Sequence, residues 1–332
     1  MRCKKLRTPF LLALVAALAM GHTPGHAAGD QDPSPLKIFK EREEQLFRVG
    51  YRLATTNAPF CERNDAASGF LLHDASACDD PKSVRQTFGL TGDIGIQTVA
   101  ADSPAAAAGM KRDDILIAMD GIEIAANYPP SKPCWRRTQR LHDLLQTALG
   151  RGPVLIVWSN PEGERLSADI LATHYCASNF ELLDSGKGVA ADGNRVQIDA
   201  DFPGFAFPED EFAAAVAHEL AHNLLNHQKT LDQHGRKGRL VRLSVRDADR
   251  LMPWLLANAG YDPRTAVLFI QTLGPGYGGG LVRKRSHDGW DKRVEFIEAE
   301  LPEVALAIAE DVNADWGKRF KRMLEVEIAD PS

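Results

Sequence analysis

Between Pro208 and His227 the chain reads Pro-Glu-Asp-Glu-Phe-Ala-Ala-Ala-Val-Ala-His-Glu-Leu-Ala-His-Asn-Leu-Leu-Asn-His, and no other stretch constrains the fold as tightly. A proline followed by three acids starts a helix, because the ring presets φ and the carboxylates face the positive end of the helix dipole. From Phe212 to Ala217 that helix is apolar nearly all round, so other elements must pack around it. A buried helix that also carries His218, Glu219 and His222 must satisfy those polar groups internally.

The spacing supplies a reason for them. His218 and His222 lie about 40° apart around a helix axis, so both imidazoles can reach one zinc ion at about 2.0–2.1 Å. Glu219 follows directly and is placed to take a proton from water that a zinc ion acidifies. This is the HExxH pattern of zinc hydrolases. On a continued helix His227 sits about 140° from His222, so it is expected to point away, as a residue behind the metal ligands or at the surface.

The N-terminus sets the compartment. Arg2, Lys4, Lys5 and Arg7 precede an apolar run from Pro9 to Met20, and Gly25-His26-Ala27 offers small residues for cleavage. Residues 1–27 therefore read as a signal peptide, because the run is shorter than the roughly 20 residues that span a bilayer. Its removal changes the formal net charge from −6 to −10, which excludes a nucleic-acid footprint. It also removes Cys3 and leaves Cys61, Cys78, Cys134 and Cys176, an even set suited to two disulfides in an oxidising compartment. The processed chain is expected to be soluble, without a transmembrane segment, in the periplasm or outside the cell.

Residues 28–84 read as a leader, a helix over about 38–58, a short strand at 69–73 and a polar linker from Ala75 to Arg85. Residues 85–172 change texture, with strands near 95–99, 114–119, 154–158 and 165–171 and a helix from Arg137 to Leu149. The run Val99-Ala100-Ala101-Asp102-Ser103-Pro104-Ala105-Ala106-Ala107-Ala108-Gly109-Met110-Lys111-Arg112-Asp113-Asp114-Ile115-Leu116-Ile117-Ala118-Met119-Asp120-Gly121 resembles a PDZ domain of the bacterial protease type. The resemblance implies a small β-barrel module that captures chain ends by strand addition, with Phe88-Gly89-Leu90-Thr91-Gly92 as its carboxylate-binding loop. Asp113 stands where that family has Gly, and residues 125–136 are an insertion.

Residues 173–332 carry the second resemblance. Asp247-Ala248-Asp249-Arg250-Leu251 and Leu255-Leu256-Ala257-Asn258-Ala259-Gly260-Tyr261-Asp262-Pro263 follow the HExxH helix by about 25 residues. Together they resemble the gluzincin metallopeptidases of the HtpX, Oma and CAAX-prenyl-protease types. The resemblance implies one zinc ion per chain and a substrate-aligning edge strand at Asn194–Asp199. It also implies an oxyanion-stabilising His287 in Ser286-His287-Asp288-Gly289-Trp290-Asp291-Lys292-Arg293. The third ligand of that family is a Glu, and its position here is Val245. Asp249, one turn along the same face, is the candidate replacement, with Asp247 and His287 as alternatives. Pro253 removes a hydrogen bond to the Asp249 carbonyl, so either the helix kinks and re-aims an Asp or the ligand turn has drifted after losing its task.

Gly274 to Gly280 reads as a flexible rim, Arg283-Lys284-Arg285 as a solvated basic patch, and His73, His142, His174 and His234 as structural. Pairing of Cys61 with Cys176 would staple the base of the PDZ-like module. The chain is thus expected to be α+β: a PDZ-like β-barrel module followed by a mainly helical zincin-type metallopeptidase domain. Its expected activity is zinc-dependent endopeptidase cleavage of protein substrates in envelope quality control, with Glu219 and His287 catalytic and His218, His222 and Asp249 on the metal. The alternative is a peptidase-like protein that binds proteins without cleaving them, which Val245 favours.

Overall fold

The computed structural model describes residues 34–77, 80–131, 135–186, 188–277 and 288–330. The expected signal peptide, Cys78, Cys134 and the expected oxyanion donor His287 lie outside them.

Helix α1 (Pro35–Thr56) starts at Ser34, whose hydroxyl accepts the Lys37 amide, and it buries Leu46, Val49 and Leu53. The chain continues through β1 (Asn64–Ala67), β2 (Phe70–Asp74), α2 (Pro81–Phe88), β3 (Ile94–Val99) and the short α3 (Pro104–Ala107). Then follow β4 (Ile115–Met119), β5 (Ile122–Glu123), α4 (Ile124–Asn127), α5 (Trp135–Leu149), β6 (Val154–Ser159) and β7 (Arg165–Ile170). Five of these strands form an antiparallel sheet in the order β2-β3-β4-β6-β7, with β5 beside β4. Leu141, Leu145 and Leu149 of α5 share a core with Phe70, Leu72, Ile96, Ile156 and Trp158 of the sheet.

Three expectations change here. The sheet is an open path with β2 and β7 at its ends, and no pairing among the described residues closes it into a barrel. The polar stretch after Ala75 contains α2, which Asp80 caps by accepting the Ser83 amide at 3.0 Å. The loop at 88–92 leads into β3, an inner strand paired on both sides, and its Leu90 is buried. An added strand has no free edge there. Asp113 does take the backbone form that the expected Gly would take, with φ 69°, which Asp tolerates better than bulkier residues.

Strand β8 (Thr173–Cys176) returns to pair with β1, and Cys61 and Cys176 sit at disulfide distance beside that ladder, their Cα atoms 5.6 Å apart. Next come β9 (Asn179–Leu183), β10 (Val189–Ala191) and β11 (Arg195–Asp199). They form a three-stranded sheet in the order β10-β11-β9, so β11 is its centre and β10 an edge. The expected edge strand at 194–199 is therefore paired on both sides, antiparallel to β10 and parallel to β9.

The remaining elements are helical: α6 (Glu209–Leu224), α7 (His227–His234), α8 (Gly238–Asn258), α9 (Thr265–Tyr277), α10 (Trp290–Glu310), α11 (Trp316–Arg319) and α12 (Met323–Ala329). Helix α6 lies at the centre, its residues 212–217 all 1% exposed or less, and it packs against α1, α8, α9, β10 and β11. Leu46, Val49 and Leu53 of α1 belong to this second core and not to that of the larger sheet. Helix α8 runs through Pro253 with no break in the element, and α9 extends to Tyr277, through part of the expected glycine-rich rim. A Cβ on Gly274 would fall 2.4 Å from that of Trp290, so only glycine permits this approach of α9 and α10. No helix among the described residues is long and apolar enough to cross a membrane.

Candidate metal centre

The centre is built on the last two turns of α6. His218 and His222 turn their Nε2 atoms toward each other, 3.3 Å apart. Two nitrogens at zinc distance in tetrahedral geometry are separated by about 3.3 Å, so donor type and separation both fit a zinc ion. The opposite edge of each ring is also occupied.

His218 Nδ1 lies 3.0 Å from Asp249 Oδ1, close but off the line of a straight hydrogen bond. Asp249 is fully buried on α8, and Arg293 of α10 grips both its oxygens at 2.7 Å. Burial pushes this carboxyl up, but Arg293 and then His218 outweigh it and hold it down at about 2. A carboxylate fixed in this way orients the ring of His218. The candidate third ligand is thus placed on the far side of His218 from the Nε2 pair. Asp247 is also committed elsewhere: its oxygens accept the Met323 and Leu324 amides at 2.9 Å, at the start of α12. Val245 is buried and offers no donor. Among the described residues, no group of three His, Cys, Asp or Glu is arranged to hold a metal ion. The described residues therefore supply two of the three protein ligands that a zinc hydrolase uses.

His222 is held by a residue expected to point away. Helix α6 ends at Leu224, and Asn226 takes a left-handed conformation with φ 53° before α7 begins. That break turns His227 back, and its Nδ1 meets His222 Nδ1 at 2.9 Å. The angle counted along a continuous helix does not apply across it. His227 is buried, and that burial, reinforced by the nearby charges of His218 and Arg322, holds its pKa down at about 3. It is neutral at ordinary pH. A metal ion on Nε2 of His222 would leave the proton on its Nδ1, and His227 Nδ1 is placed to accept it.

Glu219 is buried next to this pair. Desolvation pushes its carboxyl up; His218 and Arg293 oppose this, and Asp249 adds to it. A carboxylate of raised basicity in a water-poor site suits a general base. Asn223, on the following turn, accepts the Gly193 amide at 2.7 Å and donates to Ser178 at 2.9 Å. It thereby ties the β10–β11 turn to α6, against which β10 packs. Sequence reasoning missed Asn223 and Arg293, and of these Arg293 had a signal in its place at the end of the 286–293 segment. For His227 it left two places open, and the residue takes the one behind the ligands. Searches against protein-family models and against curated proteins return no match for this chain.

Proposed function

We propose that this chain is an exported zinc-dependent metalloendopeptidase of gluzincin type, carrying a PDZ-like module and acting on protein substrates. One observation carries the reading: two Nε2 atoms 3.3 Å apart, each on a ring whose other nitrogen already faces a fixed partner. Two rings held from behind and converging on one point suit a shared ion, and Glu219 stands beside that point. In this reading His218 and His222 hold the ion, and zinc would supply Lewis-acid polarisation of the attacking water and the scissile carbonyl. Glu219 takes the proton from the attacking water and passes it to the leaving amine. Asp249 and Arg293 fix the ring of His218, and His227 fixes that of His222. An extended substrate adds to the outer edge of β10 rather than to β11. His287 is the proposed donor to the oxyanion.

Val245 favours a second reading, a binding protein that keeps the peptidase fold and holds proteins without cutting them. Zinc titration of the purified, processed chain separates the two. The enzyme reading expects about one tightly held zinc per chain. Glu219→Gln is then expected to keep that zinc and to lose cleavage of an unfolded protein. No zinc retained after loading, or unchanged turnover by Glu219→Gln, removes the enzyme reading.

A further inference from the structure

Three short pieces of chain meet near the C-terminal end of α6: residues 61–64, residues 176–179 and the β10–β11 turn at 193–194. The pairing of Cys61 with Cys176 joins the first two covalently. The Arg63 carbonyl accepts the Ala177 amide at 3.0 Å, and the Asn194 carbonyl accepts the Asn179 amide at 2.9 Å. The Arg63 guanidinium donates to the Gly193 carbonyl at 3.1 Å. From these pieces two routes run to the histidines. Ser178 accepts from Asn223, the residue after His222, and Asn223 accepts the Gly193 amide. Glu62 accepts from Asn226 at 3.4 Å and from Arg322 at 3.0 Å, and Asn226 is the left-handed residue that turns His227 onto His222.

We propose that the Cys61–Cys176 bond is a redox-sensitive brace for the histidine pair, with Glu62 and Ser178 as its positioning residues; its consequence for zinc rests on the peptidase reading. Glu62 and Arg63 are exposed, and the ladder between β1 and β8 begins only at Asn64. Ahead of that ladder the bond ties the stretch to β8, with the Ala177–Arg63 hydrogen bond beside it. An exposed side-chain hydrogen bond is worth little unless the backbone on both sides is already fixed. Glu62 therefore holds Asn226 only while the Cys61 end is held.

The switching step is an exchange with a dithiol reductant. Cys176 is fully buried and Cys61 is partly exposed, so the incoming thiolate attacks the Cys61 sulfur. Cys176 leaves as a thiolate and takes up a proton. The second thiol of the reductant then displaces Cys61 as a thiol, and the reductant ends as its own disulfide, having given two electrons. Residues 61–63 are released from β8, the hold of Glu62 on Asn226 weakens, and the Ser178 end loses its covalent anchor.

The test uses the full processed chain and a variant carrying Cys61→Ser with Cys176→Ser. Two amides report on the brace without any metal: Thr230, which bonds to the Asn226 carbonyl, and Gly193, which bonds to Asn223. In the zinc-free variant both should exchange hydrogen about tenfold faster than in the parent, while α9 keeps its parent rates. A dithiol added to the parent should reproduce the change, reoxidation should reverse it, and the same dithiol should add nothing to the variant. Zinc affinity of the variant, read by chelator competition, should fall about tenfold. Glu62→Ala, with the bond intact, should speed exchange at Thr230 and leave Gly193 protected, and it carries the test if the double variant fails to fold. Parent rates at Thr230 in Glu62→Ala or at both amides in the double variant, a rise of equal size in α9, or a dithiol response in the double variant overturns the proposal. The two readings fail separately. Faster exchange in a chain that never holds zinc removes the peptidase reading and keeps the brace; tight zinc binding that survives loss of the bond unchanged does the reverse.

Discussion

The sheet half and the helical half each bury an Arg–Asp pair, and the two pairs end differently. In the sheet half Arg137 and Asp74, both 2% exposed in their side chains, meet at 3.2 Å. Ser76 donates to Asp74 through both its amide and its hydroxyl, and Arg137 gives its Nε–H to the Tyr128 carbonyl at 2.6 Å. Every contact in that knot serves the local chain. In the helical half Arg293 holds Asp249 at least as closely, but the carboxylate passes on to the ring of His218. A buried ion pair is costly to assemble and gives little net stability. The first fastens the insertion before α5 to β2; the second spends its rigidity on aiming an imidazole.

The comparison can be broken experimentally, and the largest effect belongs to the sheet half. Arg137→Ala leaves Asp74 buried and unpaired, so urea unfolding should show a loss of about 3–5 kcal/mol. Zinc affinity of the folded fraction should stay unchanged, and a loss there would show that the halves are not separate in purpose. Arg293→Ala should instead lower zinc affinity by about 10–100-fold, read by chelator competition. Wild-type affinity in that variant would reduce the second pair to a fastening like the first. Next in size is His227. His227→Leu should weaken zinc binding by about tenfold, whereas His227→Gln, which keeps an acceptor for His222, should recover most of it. Equal losses in both variants would mean that the residue only fills space.

The last effect is a matter of pH. His73, buried in the sheet half with its Nε2 unpartnered, is held down at about 3 by burial and then by Lys40. Its unfolded counterpart titrates near 6.5, so between about 6.5 and 3 the unfolded chain binds the extra proton. Stability therefore falls as pH falls through that window. His73→Phe, beside Phe88 with which His73 already makes an edge contact, should flatten this limb in acid unfolding curves. An unchanged slope would place the acid sensitivity elsewhere.

What could be read from sequence was local. The spacing of His218 and His222 and the wholly apolar turn before them need only the period of one helix, and both appear as expected in α6. The direction of His227 went astray, though not its place behind the ligands, because Asn226 stops that period, and an Asn inside an apolar stretch is a weak stop signal. Helix α2 had a signal that was passed over, Asp80 before Pro81. The centre of a sheet cannot be told from its edge by periodicity, so β11 was taken for a free strand and the 88–92 loop for the mouth of a groove. Asp249 was placed on the correct face of α8 but given the wrong neighbour, since Arg293 arrives from 44 residues away.

The join at Cys61 and Cys176 has a consequence for handling the molecule. It joins cysteines 115 positions apart in sequence, the stretch between them contains the whole larger sheet, and its two ends are 5.6 Å apart at the Cα atoms. A protease that nicks any surface turn of that sheet leaves one covalent molecule. Fragments should separate on a gel only after reduction. The same closeness makes the sheet half a removable cartridge: a tight turn in place of residues 62–175 could bridge the gap and leave the helical half to be assayed for zinc alone.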